Sequence, residues 1–180
     1  MASIVNIGLG EVFALSAALP WAIAIVLFKK SGEQVPPFAL NILKNGFVLP
    51  LFIVTIVVVH GLQWPALALA EWPVLVVSAL IGIVLGDTLY FRALNAIGAS
   101  RMAVTQTLYS PFVIALSLAF LGERLSVQQF IGVLVVLGGI WLVTIERHRD
   151  VLDRQRLRQG VLYGVLAVLA MAIGVVMIKP

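Results

Sequence analysis

The sequence predicts an all-α protein, a polytopic membrane helical bundle built from one five-helix repeat and the first helix of a second, inverted repeat. Three observations lead there. The 180 residues are 62% hydrophobic and 11% charged, with a mean hydropathy of +1.11, whereas soluble domains run at roughly 45–50% apolar and about 25% charged. The apolar residues fall into six runs, each to be measured against the roughly 20 residues that cross a hydrocarbon core of about 30 Å. Finally, a stretch near the start of the chain recurs near its end.

The first run, from about Glu11 to Phe28, carries the small residues Ala14, Ser16, Ala17, Ala18, Ala22 and Ala24, which permit close helix packing. No Lys or Arg precedes it, and Lys29 and Lys30 follow it. That order is the reverse of a secretory signal, so the run reads as a retained span. Pro20 and Trp21 near its middle read either as a kink with a packed ring or as a wall of a central cavity. Lys29, Lys30 and Gly32 end the helix and Pro36-Pro37 restart the chain in extended form.

A second helix covers about Phe38 to Val59, interrupted early by Asn41, Lys44, Asn45 and Gly46. The connector His60 to Trp72 holds no Lys or Arg. Its Trp64-Pro65 and Trp72-Pro73 pairs fit an interfacial aromatic belt. The third helix, about Pro73 to Leu94, contains Gly82-x-x-x-Gly86, a face for close packing.

After a turn from Asn95 to Ser100, the fourth helix spans about Arg101 to Leu121 with Pro111 at its centre, and Gly122 ends it. Ser126 followed by Gln129 makes a capping box for the fifth helix. That helix runs to about Ile145, and its Gly132, Gly138 and Gly139 read as a packing seam. Residues 146–159, ERHRDVLDRQRLRQ, form a hydrophilic, basic inter-repeat loop, and the sixth helix starts at Gly160.

The sixth helix resembles the first. GEVFALSAALPWAIAIVLFKK from Gly10 aligns without a gap on GVLYGVLAVLAMAIGVVMIKP from Gly160, with identities at Gly10/Gly160, Ala17/Ala167, Leu19/Leu169, Ala22/Ala172, Ile23/Ile173, Val26/Val176 and Lys29/Lys179. Residues 10–145 then make one complete five-helix unit, and residues 160–180 the first helix of an incomplete second one. A unit with an odd number of spans must insert its next copy upside down, which is the inverted-repeat plan of secondary transporters.

Charge sets an expected orientation. Lys29, Lys30, Arg92, Arg101, Arg147, Arg149, Arg154, Arg156 and Arg158 gather on the face reached after the first helix (side B). The other face (side A) receives Arg124 and Lys179. The positive-inside rule places side B in the cytoplasm and the amino terminus outside. The same clustering accounts for the net charge of +4 without a nucleic-acid partner. With no cysteine and two separate histidines, His60 and His148, neither a metal site nor a cofactor is expected.

Helical rise converts sequence position into depth. Lys44, Asp87 and Gln106 each lie about 6–8 Å toward side B from the centres of their helices, so three polar side chains share one layer. A lone charge there costs about 2.5–3.5 kcal/mol on insertion scales, and a facing opposite charge or a wet cavity relieves it. Lys44 and Asp87 are therefore expected to face the interior and pair. Two roles stay open for them. Lys44 snorkels to the side B headgroups while Asp87 caps or hydrogen-bonds locally, or Asp87 takes and releases a proton or a cationic substrate group. On the fourth helix, Thr105, Gln106, Thr107, Tyr109 and Ser110 cover too many faces to line one cavity. Gln106 and Tyr109, a near turn apart, are the better pair. Pro111 frees a carbonyl and makes a kink and a candidate hinge.

At these residues the chain resembles the EamA family of the drug/metabolite transporter superfamily. The resemblance rests on GD-x-x-Y-x-x-AL (Gly86 to Leu94), IGAS, a central Ser110-Pro111, the LGE exit with Arg124, and the glycine-rich fifth helix. Trp21, Lys29 and Lys44 also fit the family pattern, and the match covers about residues 10–145. It implies a ten-helix transporter of two inverted repeats in the cytoplasmic membrane, moving a small metabolite or drug-like solute by alternating access. The partners are then that small molecule, the lipid bilayer and, as a candidate coupling ion, protons. Substrate-cavity candidates are Trp21, Asn41, Lys44, Asp87, Tyr90, Gln106 and Tyr109. The reading from a different class is a non-transporting membrane scaffold or accessory subunit. An enzyme is not expected, because the sequence offers no metal-ligand pair, no Ser/His/Asp set and no phosphate-binding glycine loop.

Overall fold

The structure is a computed structural model that describes residues 8–61, 68–122, 126–146 and 153–179. The regular elements among them are all helical. They are α1 (Leu9–Ser31), α2 (Pro37–His60), α3 (Trp72–Ala79), a π-helical segment (Leu80–Asp87), α4 (Thr88–Ile97), α5 (Ala99–Gln106), α6 (Tyr109–Leu121), α7 (Val127–Glu146) and α8 (Arg154–Met177). α3, the π segment and α4 join into one rod, Trp72–Ile97, and α5 with α6 makes a second, Ala99–Leu121. These two rods with α1, α2 and α8 give five helices long and apolar enough to cross a membrane. The sixth apolar run is α7.

Local chemistry explains the boundaries. Pro37 occupies the first turn of α2, where a missing N–H costs nothing. Past α1, Gly32 N–H bonds the Phe28 carbonyl at 2.8 Å, and Lys29 pairs with Glu33 at 3.3 Å. The reversal between α4 and α5 takes a single residue, Gly98, at φ +83° and ψ 167°, a conformation essentially confined to glycine. Gly122 closes α6 in the left-handed region at φ +65°. The capping box forms. Ser126 N–H donates to Gln129 Oε1 at 2.9 Å and Gln129 N–H to Ser126 Oγ at 3.3 Å.

The fourth predicted helix breaks at Thr107–Leu108 rather than running through to a kink at Pro111. Pro111 has no N–H to offer the Thr107 carbonyl one turn back, and its ring crowds that carbonyl. The ladder therefore opens a turn early. Thr107 and Leu108 N–H tighten onto Val104 and Thr105 carbonyls at 3.2 and 3.1 Å, and regular spacing resumes with Phe112 N–H on Leu108 at 3.0 Å.

The centre of the bundle is α8. It runs antiparallel to the rod Trp72–Ile97 in a register marked by its small residues. Gly160 sits against Ala96 and Ile97, Gly164 against Ala93, Met171 against Gly86, and Gly174 against Gly82 and Ser78. The predicted close-packing face Gly82-x-x-x-Gly86 is thus used, and its partner is α8. Ala167 and Val168 complete a core with Leu40 of α2, Tyr90, Phe91, Ala93 and Leu94 of α4, and Met102 of α5. α1 joins this core through Ile25 and Phe28, near its C-terminal end. The outer faces of α1 and α2 present large apolar side chains such as Phe13, Leu19, Phe47 and Phe52, as lipid-facing helices must.

One expected seam is not used among the described residues. Gly132, Gly138 and Gly139 of α7 have nothing within 4 Å of an added Cβ. Trp64, Pro65, Glu123, Arg124 and residues 147–152 of the basic segment lie outside the described residues, while its residues 154–159, expected as loop, form the first turns of α8.

Candidate functional site

α2 places Asn41, Lys44 and Asn45 within one turn of each other, facing the π segment and the start of α4. The sequence makes this turn polar inside an otherwise apolar helix, so those side chains must find partners within the protein. Each finds one.

Lys44 Nζ forms an ion pair with Asp87 Oδ2. The two side chains retain only 23% and 18% of their exposure, so the pair is set into the bundle rather than at its rim. The ammonium also stands 5.9 Å from the centroid of the Phe91 ring, at the outer reach of a cation–π contact. Phe28 of α1 meets that ring edge-on at 5.1 Å, and Tyr90 does so at 5.8 Å. An aromatic wall therefore flanks the cation. Asp87 precedes α4 but its carboxylate makes no cap there, and Lys44 is turned inward. The structure thus brings Lys44 and Asp87 together as an inward-facing pair.

Asn41 is buried, 3% exposed. Its amide Nδ2 donates to the carbonyls of Ile83 at 3.0 Å and Val84 at 3.2 Å, and to Thr88 Oγ1 at 3.1 Å. Its Oδ1 accepts from Asn45 Nδ2 at 2.6 Å. Thr88 Oγ1 in turn donates to the Val84 carbonyl at 2.5 Å, while Thr88 N–H goes to the Leu85 carbonyl. This is the chemistry a π turn needs, because a helix spaced i to i+5 leaves carbonyls off the α ladder, and buried carbonyls require donors. The sequence marked Asn41 as polar but not as a backbone clamp.

Tyr90 follows Asp87 by three residues, hence on the same helical face. It is 4% exposed, and its hydroxyl has no hydrogen-bond partner among the described residues. Gln106, in the same predicted layer, is likewise buried at Oε1 without a partner. Tyr109 packs against the core cluster across the Thr107–Leu108 break, so that break separates the two residues the sequence pairs. Trp21 stays 53% exposed on α1. It is not drawn into the cluster around Lys44 and Asp87.

A second polar contact closes side B. Asn95 Nδ2 donates to the Gly32 carbonyl at 2.9 Å, and the guanidinium of Arg156 reaches the Asn95 carbonyl at 3.4 Å. The end of α1, the end of α4 and the start of α8 are tied there. Nothing in the spacing of these residues announces the contact, which is made across three helices.

In sequence, residues 8–145 match the EamA-like transporter family. A protein described as an uncharacterized transporter, from Archaeoglobus fulgidus, is 25% identical over 140 residues, covering 72% of this chain and 46% of that protein. The chain thus spans about half the length of the curated relative it matches. No solved structure matches it.

Proposed function

The chain belongs to the EamA-like transporter family of the drug/metabolite transporter superfamily, and from that premise we propose that it serves as a secondary transporter. It moves a small metabolite or drug-like solute across the cytoplasmic membrane by alternating access between inverted repeats. Residues 10–145 supply one repeat and α8 the first helix of the next, joined by the basic segment 146–159, whose last six residues already belong to α8. The amino terminus lies outside and the basic loop in the cytoplasm.

The observation that carries this reading is the Lys44–Asp87 pair inside the spans. Ionisable groups at such depth are expensive and concentrate on substrate and ion pathways. A carboxylate held by an ammonium can release it when a proton or a cationic substrate group takes its place, and Tyr90 O–H stands beside it with hydrogen-bonding capacity unspent. Gln106 offers the same. Together they make a polar layer that a hydrated solute can enter in exchange for water. Pro111 and the open turn at Thr107–Leu108 give the neighbouring rod a place to bend.

The test is flux. The full-length protein, with both repeats, is reconstituted in liposomes and a panel of radiolabelled metabolites is followed with and without an imposed pH gradient, for the parent and for Asp87→Asn. Uptake of at least one solute is expected, with its response to the gradient lost in Asp87→Asn. Equal, gradient-dependent flux from both removes Asp87 from the mechanism.

A further inference from the structure

We propose that Asn41 is the positioning residue of this polar layer. By holding Leu80–Asp87 in its π-helical spacing, it keeps Asp87 turned toward Lys44. The proposal deepens the transport reading, and it rests on that reading only for its functional meaning.

A π segment holds more residues per turn than an α-helix, so reversion to α spacing would rotate the chain on one side against the other by about 100° for each residue of slip. Both flanks of the segment are fixed. Ser78 on one side lies against Gly174 of α8, and Phe91, Ala93 and Leu94 on the other are buried in the core, while within the segment Gly82 and Gly86 lie against Gly174 and Met171. The register of the intervening turn decides where Asp87 points.

π spacing is rare because it has the poorer hydrogen-bond economy, so something must compensate it. Here the compensation comes from the Asn41 amide together with the Thr88 hydroxyl, and Asn41 alone reaches Ile83 O. The acceptors Ile83 O and Val84 O both face Asn41 Nδ2, and Asn45 Nδ2 fills Asn41 Oδ1. This arrangement needs a donor at position 41 and fixes which end of the amide faces the π turn. Lys44 lies three residues on, one turn along the same face of α2. α2 therefore grips the rod at two points, the backbone by Asn41 and the side chain of Asp87 by Lys44.

The test is a double-mutant cycle between Lys44→Met and Asp87→Asn, read as shifts of the thermal unfolding midpoint of the whole chain in nanodiscs. It is run in the parent and in Asn41→Ala, with amide hydrogen exchange followed over residues 80–88. In the parent the two shifts are expected to be strongly non-additive. In Asn41→Ala they become additive, and exchange over 80–88 quickens at least tenfold. A generally destabilising loss of Asn41 would lower every midpoint and leave the coupling between Lys44 and Asp87 intact, which would overturn the proposal. Should Asn41→Ala yield no folded protein, Asn41→Leu serves. It keeps the side-chain volume but removes the donor to Ile83 O and Val84 O, and a coupling that is undiminished there also overturns the proposal. No readout depends on transport, so failure of the flux assay and failure of this proposal are separate results.

Discussion

Gly174→Ala is the sharpest probe of where α8 sits. A Cβ at position 174 would stand 2.9 Å from Gly82 Cα, 2.9 Å from the Ser78 carbonyl oxygen and 3.1 Å from Gly82 N. All three are backbone atoms, with no rotamer to swing away. Optimal separation of such atoms is about 3.5–4.0 Å, so α8 must back off by about 0.5–1 Å, forfeiting a quarter to a half of the dispersion energy of each facing pair. In a membrane, where lipid tails are as apolar as the helices, this close packing is most of what holds two helices together. An extra methyl forced into a packed site costs about 1–3 kcal/mol. The change from Gly to Ala also gains about 1 kcal/mol of helix propensity, so a control must carry the same gain without the clash. Gly132→Ala is that control, since nothing lies within 4 Å of its added Cβ. The propensity terms cancel between the two variants, leaving a difference of about 1–3 kcal/mol. At about 2–4 °C per kcal/mol for a chain of this size, circular dichroism melts in detergent should place Gly174→Ala several degrees below Gly132→Ala. Coincident melts would mean that α8 does not lie on Gly82, and the packing described above would fall with it.

Other consequences are open to the same kind of measurement. Lys44→Met leaves Asp87 without its cation and should cost about 2.5–3.5 kcal/mol; adding Asp87→Asn should return most of that loss in urea or thermal unfolding. Gly98→Ala should lower stability by about 1–3 kcal/mol through backbone strain alone, because its Cβ meets nothing within 4 Å. Gly122→Asn, at a left-handed position that Asn tolerates, should cost far less in the same assay. Gly32→Ala drives a Cβ into the Asn95 amide and breaks its bond to the Gly32 carbonyl, so limited proteolysis should cut the α1–α2 junction faster. Asn95→Ala added to it should remove the collision and give coupled rather than additive effects.

What the sequence made legible follows from which quantities depend on spacing alone. Depth does, because helical rise is nearly constant, and so Lys44 and Asp87 were assigned to one layer from different helices. Helix stops do as well, as Gly122 and the Ser126/Gln129 box illustrate, although the turn expected over 95–100 contracts to Gly98 alone. The partner of Gly82-x-x-x-Gly86 does not, because a face of small residues specifies a close approach and not who approaches. The same pattern in α7 meets no neighbour among the described residues. The π segment was hidden for another reason. Its residues, LIGIVLGD, have no apolar period that separates π from α spacing, and the donor that stabilises it lies on α2. The break at Thr107–Leu108 was within reach, since the carbonyl orphaned by Pro111 belongs to Thr107.

The likeness of α1 and α8 shows how little environment travels with sequence. Shifting the buried positions of α8, Gly160, Gly164, Ala167, Val168, Ala170, Ala172, Gly174 and Val176, by the offset of the alignment gives Gly10, Ala14, Ala17, Ala18, Pro20, Ala22, Ala24 and Val26 of α1. All of these are exposed except the half-buried Ala24. The two helices also point in opposite senses. Phe28 and Gly32 of α1 advance alongside Phe91 and Asn95, whereas α8 descends from Ile97 to Ser78. Two near-copies of one small-residue helix therefore meet the same rod in antiparallel and parallel senses, and only the antiparallel one is gripped along its length. Side-chain size contributes to that preference, because α1 carries Ala14 and Ala24 where α8 carries Gly164 and Gly174. α8 also has a register in which Gly174 falls on Gly82 and Ser78, Gly164 on Ala93 together with Met102 and Thr105 of α5, and Gly160 on Ala96 and Ile97. Shifting α8 by one residue would put Val175 or Ile173 where Gly174 now touches backbone, so the register, together with the composition of the stripe, sets the position of the rod that carries Asp87.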